Sequence, residues 1–374
     1  MLKKSLLLAI LMFSFLYPQV KISGDARIRP RYDVNDRTPS KGNKTEDFYY
    51  MYRARIKVSA DIDEGWMFNA MLAHNGISDY SIFAAGDYPD ISGVNQSTTK
   101  PTTNENSRRA TVSFMELYFG KEVEKYGFRM GLFPLGAMNN PVYDIHYYPT
   151  KMVDIPFYVN NSDGAYGIAG YLKTDIGKFG AKVLVEDAKG KYEENSSGKS
   201  LYDIKDQYTV ELNYTAEAGG FVIAPMAMIS ISDDSVAAPN TFGINLTSPK
   251  FSGLTLSATG AYSIQSRTDL RTTQEPGYPV CKYNAYLMRL KLSGPLGPGN
   301  LVAWFDYGHM TQKLPTVDDK YDFYFTWVGY EIPIYKSQKG SFSITPEIRY
   351  AKIDKNSSSY SKRIKSEINF DIKF

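Results

Sequence analysis

One cysteine and three histidines in 374 residues set the first limits on this chain. Cys281 has no partner for an internal disulfide, so the fold must hold without one; it reads as a small, half-buried residue beside a loop. His74, His146 and His309 lie far apart, and none stands at a metal-ligand spacing. No nucleophile elbow and no phosphate-cradling loop accompanies them. These gaps leave no metal, no cofactor and no catalytic constellation to name, so a protein that is not an enzyme is expected. Net charge is only +3, and the basic residues alternate within segments instead of forming an exposed patch. Nucleic acid is therefore not an expected partner. After Val20 nothing approaches the roughly 18 consecutive apolar residues of a membrane-spanning helix.

What the chain does contain begins at its amino end. Lys3 and Lys4 precede an apolar run from Leu6 to about Tyr17 that is too short to span a bilayer, the pattern of a secretory signal peptide. Cleavage is placed loosely near Gln19, so residues 1–19 read as a leader and 20–374 as one mature domain. No cysteine lies there to carry a lipid. Mean hydropathy is negative, which leaves an exported chain two forms. It is either soluble in the periplasm or a β-barrel whose strands alternate lipid-facing and lumen-facing side chains and so average out polar.

The carboxy-terminal segment favours the barrel. From Tyr360 to Phe374, Ile364, Ile368, Phe370, Ile372 and Phe374 share one parity, while Arg363, Lys365, Glu367, Asn369, Asp371 and Lys373 share the other. A period of two is a strand with one apolar and one polar face. The pattern recurs in about sixteen segments bounded by turn residues. Connections alternate in length. Tight ones at 61–65, 175–178, 216–220, 249–253 and 294–300 are rich in Gly, Pro and Asp, and long ones cover 33–47, 75–108, 134–163, 187–206 and 267–282. Aromatic residues make up 14% of the chain, with 30 tyrosines to furnish interfacial girdles. Together these predict an all-β chain, a transmembrane antiparallel β-barrel of about sixteen strands in the bacterial outer membrane, with short periplasmic turns and long extracellular loops.

Charge sets the orientation of the strands. Val20, Ile22, Gly24, Ala26, Ile28, Pro30 and Tyr32 alternate with Lys21, Ser23, Asp25, Arg27, Arg29, Arg31 and Asp33. A basic residue aimed at lipid near the midplane costs roughly 2–4 kcal/mol, so the arginines are expected to face inward. By the same rule Arg53, Arg55 and Lys57 face inward from the next segment. In a closed barrel the last strand pairs with the first, which brings Arg363 and Lys365 to the same wall. Two readings of this pore-lining basic wall stand open. It is a water-filled cationic lining, or it is a structural cluster held by salt bridges to Asp25, Glu367 and Asp371.

Residues 134–163 are too rich in Tyr, Ile, Val and Met for a solvent-loving tip. This third long loop is expected to fold inward as a constriction loop, carrying Asp144, His146, Lys151, Asp154 and Asp163. Acidic loop residues opposite a basic wall would set up a transverse field across the passage. A lid packed over the barrel mouth is the alternative.

The opening segment VKISGDARIRPRYDV, the stretch SFMELYFGKEVEKYGFRMGLFPLG over Ser113 to Gly136, and the terminal SEINFDIKF ending on Phe374 resemble the sixteen-stranded bacterial porins. The resemblance implies a passive diffusion channel for small hydrophilic solutes with a mild tilt toward anions. It implies a third loop folded into the lumen, with Arg27, Arg29, Arg53 and Arg55 opposite Asp144 and Asp154. It also implies a terminal phenylalanine signal for the outer-membrane assembly machinery, although a glycine often seen within that signal is absent here. A homotrimer embedded in outer-membrane lipid is implied as well. The rival function is a closed structural or adhesive outer-membrane barrel that binds a partner through its long loops.

Overall fold

The computed structural model describes residues 19–37, 43–74, 81–83, 112–134, 164–187, 192–194, 200–202, 207–231, 240–266, 282–313 and 318–374. Long strands carry the fold. They are β1 (Gln19–Arg37), β2 (Asn43–Asp63), β3 (Trp66–His74), β4 (Val112–Glu122), β5 (Tyr126–Pro134), β6 (Gly164–Thr174), β7 (Gly177–Asp187) and β8 (Gln207–Ala218) in the first half. In the second half come β9 (Phe221–Ile231), β10 (Asn240–Thr247), β11 (Thr255–Gln265), β12 (Tyr283–Leu296), β13 (Gly299–Gln312), β14 (Asp319–Lys336), β15 (Ser341–Lys355) and β16 (Ser358–Lys373). Among the described residues no helix is long and apolar enough to cross a membrane.

Each strand pairs antiparallel with its sequence neighbour, and β16 pairs with β1 from Asp25↔Lys373 to Arg37↔Ser361. The result is a closed antiparallel barrel of 16 strands. Closure leaves no long edge with unpaired N–H and C=O groups, which a sheet facing hydrocarbon could not tolerate. The seam reaches the last residue, where Gly24 N–H donates to the Phe374 carbonyl at 2.8 Å and Phe374 N–H donates back at 3.0 Å.

Turn chemistry accounts for the tight rim. At Gly219 and Gly220 φ is 59° and 79°, the left-handed pair of a type I′ hairpin turn, which glycine adopts without steric cost. Both ends of the barrel chain lie on this rim, because the strand number is even. The opposite rim departs from expectation in two places. The predicted loop 33–47 is largely strand: β1 runs to Arg37 and β2 starts at Asn43, paired from Asp33↔Asp47 to Arg37↔Asn43. The strand is extended because its charged residues find cross-strand partners, Glu46 accepting from the Tyr32 hydroxyl at 2.7 Å and Asp33 accepting from Arg363 at 2.8 Å. The second departure is the β15–β16 connection, a tight turn at Asn356 and Ser357 (φ 50° and 66°) on the rim where long loops prevail.

Burial alternates as the pattern demands. On β16, Ile364, Ile368, Phe370 and Ile372 are exposed on the outside, whereas Lys365, Glu367, Asn369 and Asp371 are buried on the inside. The apolar belt faces outward on the other strands too, through residues such as Ile28, Ile56, Phe119, Ile168, Val183, Ile244, Leu290 and Ile348. The leader read at 1–19 lies outside the described residues except for Gln19, which opens β1.

Candidate functional site: the inner wall

The inner faces of β15, β16, β1 and β2 form one charged sector. Strand register stacks it in rows. From the long-loop side these are Ala351, Arg363 and Asn35, then Arg349, Lys365 and Asp33, then Glu347, Glu367 and Arg31, and lower down Ser343, Asp371, Arg27 and Arg53. The expected basic residues Arg27, Arg29, Arg31, Arg53, Arg55, Lys57, Arg363 and Lys365 all lie on inward-facing positions of this sector.

They stand within a dense ionic network. Arg53 and Arg55 lie on either side of Asp25 at 3.0 Å and 2.9 Å. Arg31 holds Glu367 at 2.6 Å, with Arg29 3.6 Å from the same carboxylate and also bonded to Asn369. Arg27 pairs with Asp371, and Lys57 reaches across to Glu116 on β4 at 3.2 Å. Arg349 bridges Glu347 at 2.8 Å and Glu367 at 2.7 Å. Most of these groups are buried, where an unpaired charge costs several kcal/mol and a well-bonded pair roughly breaks even. Asp25, Glu367 and Asp371 are the carboxylates suspected from the sequence. Asp33, Glu116 and Glu347 join them; parity puts Asp33 on the face of Arg31 and Glu347 on that of Arg349.

Elsewhere the wall carries tightly closed pairs. Lys182 and Glu211 meet at 3.0 Å with both side chains fully buried, and Asn213 donates to the same carboxylate at 2.7 Å. Arg289 clamps Asp306 through two bonds of 2.6 Å and 2.7 Å. Arg129 donates to Glu122 at 3.1 Å.

The inner wall is not polar throughout. Leu287, Met310, Phe323, Phe325 and Ile353 face inward from β12 to β15 and are buried. Next to them Trp304 and Trp327 meet edge to face with centroids 3.9 Å apart. Arg289 lies 4.8 Å over Trp304 and Arg349 lies 4.4 Å over Trp327. These cation–π contacts tie the apolar sector to the charged one.

Some expected positions fall elsewhere. Asp144, His146, Lys151, Asp154, Asp163 and Cys281 lie outside the described residues, as does the whole expected inward fold of the third loop. His309 faces outward. Its Nδ1 is 2.9 Å from Asp322, its Nε2 is 3.2 Å from the Thr311 hydroxyl, and its ring stacks on Tyr286 at 5.5 Å. The surrounding amides are committed to the sheet ladder, so this trio has no oxyanion pocket of the kind acyl transfer requires.

No protein-family model matches the chain, and no curated protein sequence does. Solved structures do match. OmpF of Salmonella typhi, in complex with daunomycin, aligns with a TM-score of 0.54 and 12% identity, covering 94% of this chain and 97% of that one. An anion-selective porin from Comamonas acidovorans aligns with a TM-score of 0.53 and 12% identity, covering 96% and 100%. A loop-deletion mutant of OmpT, an outer membrane protein of Vibrio cholerae, aligns with a TM-score of 0.51 and 9% identity, covering 95% and 99%. At these identities the likeness is one of fold: the chain has the closed barrel found in bacterial porins. A closed cylinder with an apolar exterior and a largely polar interior is a membrane-spanning form, and it places the chain in a bacterial outer membrane.

Proposed function

We propose that the barrel is a passive diffusion channel for small hydrophilic solutes with a mild preference for anions. One observation carries this reading. Among the described side chains on the inward face of β15, β16, β1 and β2, the cations Arg27, Arg29, Arg31, Arg53, Arg55, Lys57, Arg349, Arg363 and Lys365 outnumber the carboxylates Asp25, Asp33, Glu347, Glu367 and Asp371. Fixed positive charge facing a low-dielectric passage raises the local concentration of anions. Residues 134–163 are assigned to the opposite side of that passage, with Asp144 and Asp154 as the acidic counterpart. Catalysis forms no part of the reading. The barrel is assigned a trimeric assembly, to be checked by cross-linking in native membranes, and its Phe374 end is assigned to the assembly machinery.

Single-channel recording in a planar bilayer tests the proposal. Stable ion-permeable steps are expected, with a reversal potential in asymmetric KCl displaced toward chloride. A current carried mainly by potassium overturns the anion preference. A second reading, a closed structural or adhesive barrel, draws support from inward side chains with almost no exposure, among them Lys182, Glu211, Leu287, Asp306 and Ile353. Silence in the bilayer from correctly folded protein selects that reading.

A further inference from the structure

Charge also lies on the outside of the barrel. Strand pairing sets Tyr307, Tyr324, Lys352, Lys362, Asp36 and Lys44 side by side in one outward row across β13, β14, β15, β16, β1 and β2, near the extracellular ends of these strands. One same-face step toward the periplasm, roughly 7 Å along a strand, the outward residues include Phe305, Tyr350 and Ile364, exposed on the apolar belt. By contrast, the outward residues Phe114, Tyr166, Ile231 and Ile264, at the extracellular ends of β4, β6, β9 and β11, are uncharged. Lys44 and Lys362 are exposed, and the Lys352 side chain is 32% exposed. The nearby carboxylates position these cations. Asp354 holds Lys352 at 2.6 Å, and Glu46 pairs with Lys44 while accepting from the Tyr32 hydroxyl at 2.7 Å. Asp322 accepts from the Tyr307 hydroxyl at 3.0 Å and lies 2.9 Å from His309. An ammonium has three N–H donors, so a single carboxylate contact leaves Lys352 able to donate further. Lys362 stands between Lys352 and Asp36, and the directly opposed Lys352↔Lys362 pair is a like-charge contact that an anion between the two would relieve.

We infer that the outward lysines Lys352, Lys362 and Lys44 hold the phosphate headgroup of an outer-leaflet lipid. The patch matches both parts of such a molecule. Ammonium groups at the boundary between water and hydrocarbon lay their methylene stems on apolar surface and direct their charge to the headgroup level. Immediately below them Ile348, Tyr350 and Ile364 offer exposed apolar surface against which acyl chains can lie. The Tyr324 ring, 5.6 Å from the Lys352 ammonium, occupies the place where tyrosine prefers to sit in a bilayer. A free phosphate ion matches the lysines alone. The site lies on the outer surface of the wall, apart from the passage, and stands whether or not the barrel conducts.

Phosphatidic acid is the probe, with phosphatidylcholine of the same acyl chains as its control. Native mass spectrometry of the folded, detergent-solubilised barrel counts the lipid retained from an equimolar mixture. The wild-type protein is expected to retain phosphatidic acid in preference. Lys352→Gln with Lys362→Gln is expected to weaken that retention about thirtyfold, the effect of removing two ammonium groups from a membrane surface, and the corresponding pair of arginine substitutions is expected to keep it. Lys121→Gln is the reference, because Lys121 lies at the opposite rim, 5.4 Å over the Trp66 ring, and its loss is expected to change nothing. No preference in the wild type, a preference that survives the double substitution, or an equal loss in Lys121→Gln overturns the site. Displacement of the lipid by an equal concentration of inorganic phosphate also overturns it, since the apolar surface would then contribute nothing. A heat-modifiable gel shift confirms that each variant is folded before the measurement.

Discussion

Gly24 shows how a single residue can hold the cylinder shut. A Cβ added there would lie 2.6 Å from both the Arg55 carbonyl and the Phe374 ring, and Gly24 exchanges both backbone hydrogen bonds with Phe374. Gly24→Val is therefore expected to open the seam at a cost of about 1–3 kcal/mol. The temperature at which the folded gel band converts to the unfolded one should fall accordingly. The Lys182–Glu211 pair is the complementary case. Lys182→Met strands a fully buried carboxylate and is expected to cost about 3–5 kcal/mol, whereas Lys182→Met with Glu211→Leu is expected to fall near wild type in urea unfolding. A single variant no worse than the double would show that Glu211 is protonated or hydrated, not paired.

At the scale of strands and turns, the β15–β16 turn makes a pH prediction at the extracellular rim. Asp319 accepts from Lys355 at 2.8 Å and from the Asn356 amide at 2.9 Å, and these bonds hold its carboxyl below the ordinary carboxylate range against the opposing effect of burial. The hydrogen bond to Asp319 raises the Lys355 ammonium above its ordinary value. A depressed acid contributes above its unfolded pKa and a raised base below its own, so the contact is complete from roughly pH 4 to pH 10. Amide exchange at Asn356, whose N–H donates to the Lys320 carbonyl at 2.8 Å, should stay protected across that window and quicken as pH falls below it. Asp319→Asn should remove the acid limb.

Element boundaries also show what was readable beforehand. The tight connection expected at 61–65 leads straight into β3, with Gly65 punctuating its start. The extension of β1 and β2 beyond 33 was not readable. Its charged residues look like loop until Arg363, 330 positions away from Asp33, comes alongside. The apolar inner sector was hidden for a different reason. Over 321–328 aromatic residues occupy both parities, so no period of two distinguishes lumen from lipid.

For the whole molecule, selectivity is the quantity at stake. Replacing Arg27, Arg29, Arg53 and Arg55 by glutamine leaves Asp25 and Asp371 uncompensated, so the reversal potential should move toward cations. An unmoved potential would assign those arginines to structure alone. The opposite change, Glu367→Gln, frees Arg29, Arg31 and Arg349 from their shared carboxylate and should strengthen the anion preference, with a loss of thermal stability.

The order of side chains by itself determined that the chain is all strand, which face of each strand meets hydrocarbon, and which basic residues share a parity. Those properties follow from the two-residue period of an extended backbone and the cost of placing charge in lipid. Tertiary structure alone decided which charges meet. Arg31 and Glu367 stand 336 positions apart, and only closure of the cylinder brings their strands into register. The same closure sets Lys365 between Arg349 and Asp33, because pairing across a seam depends on strand register, which no local pattern encodes.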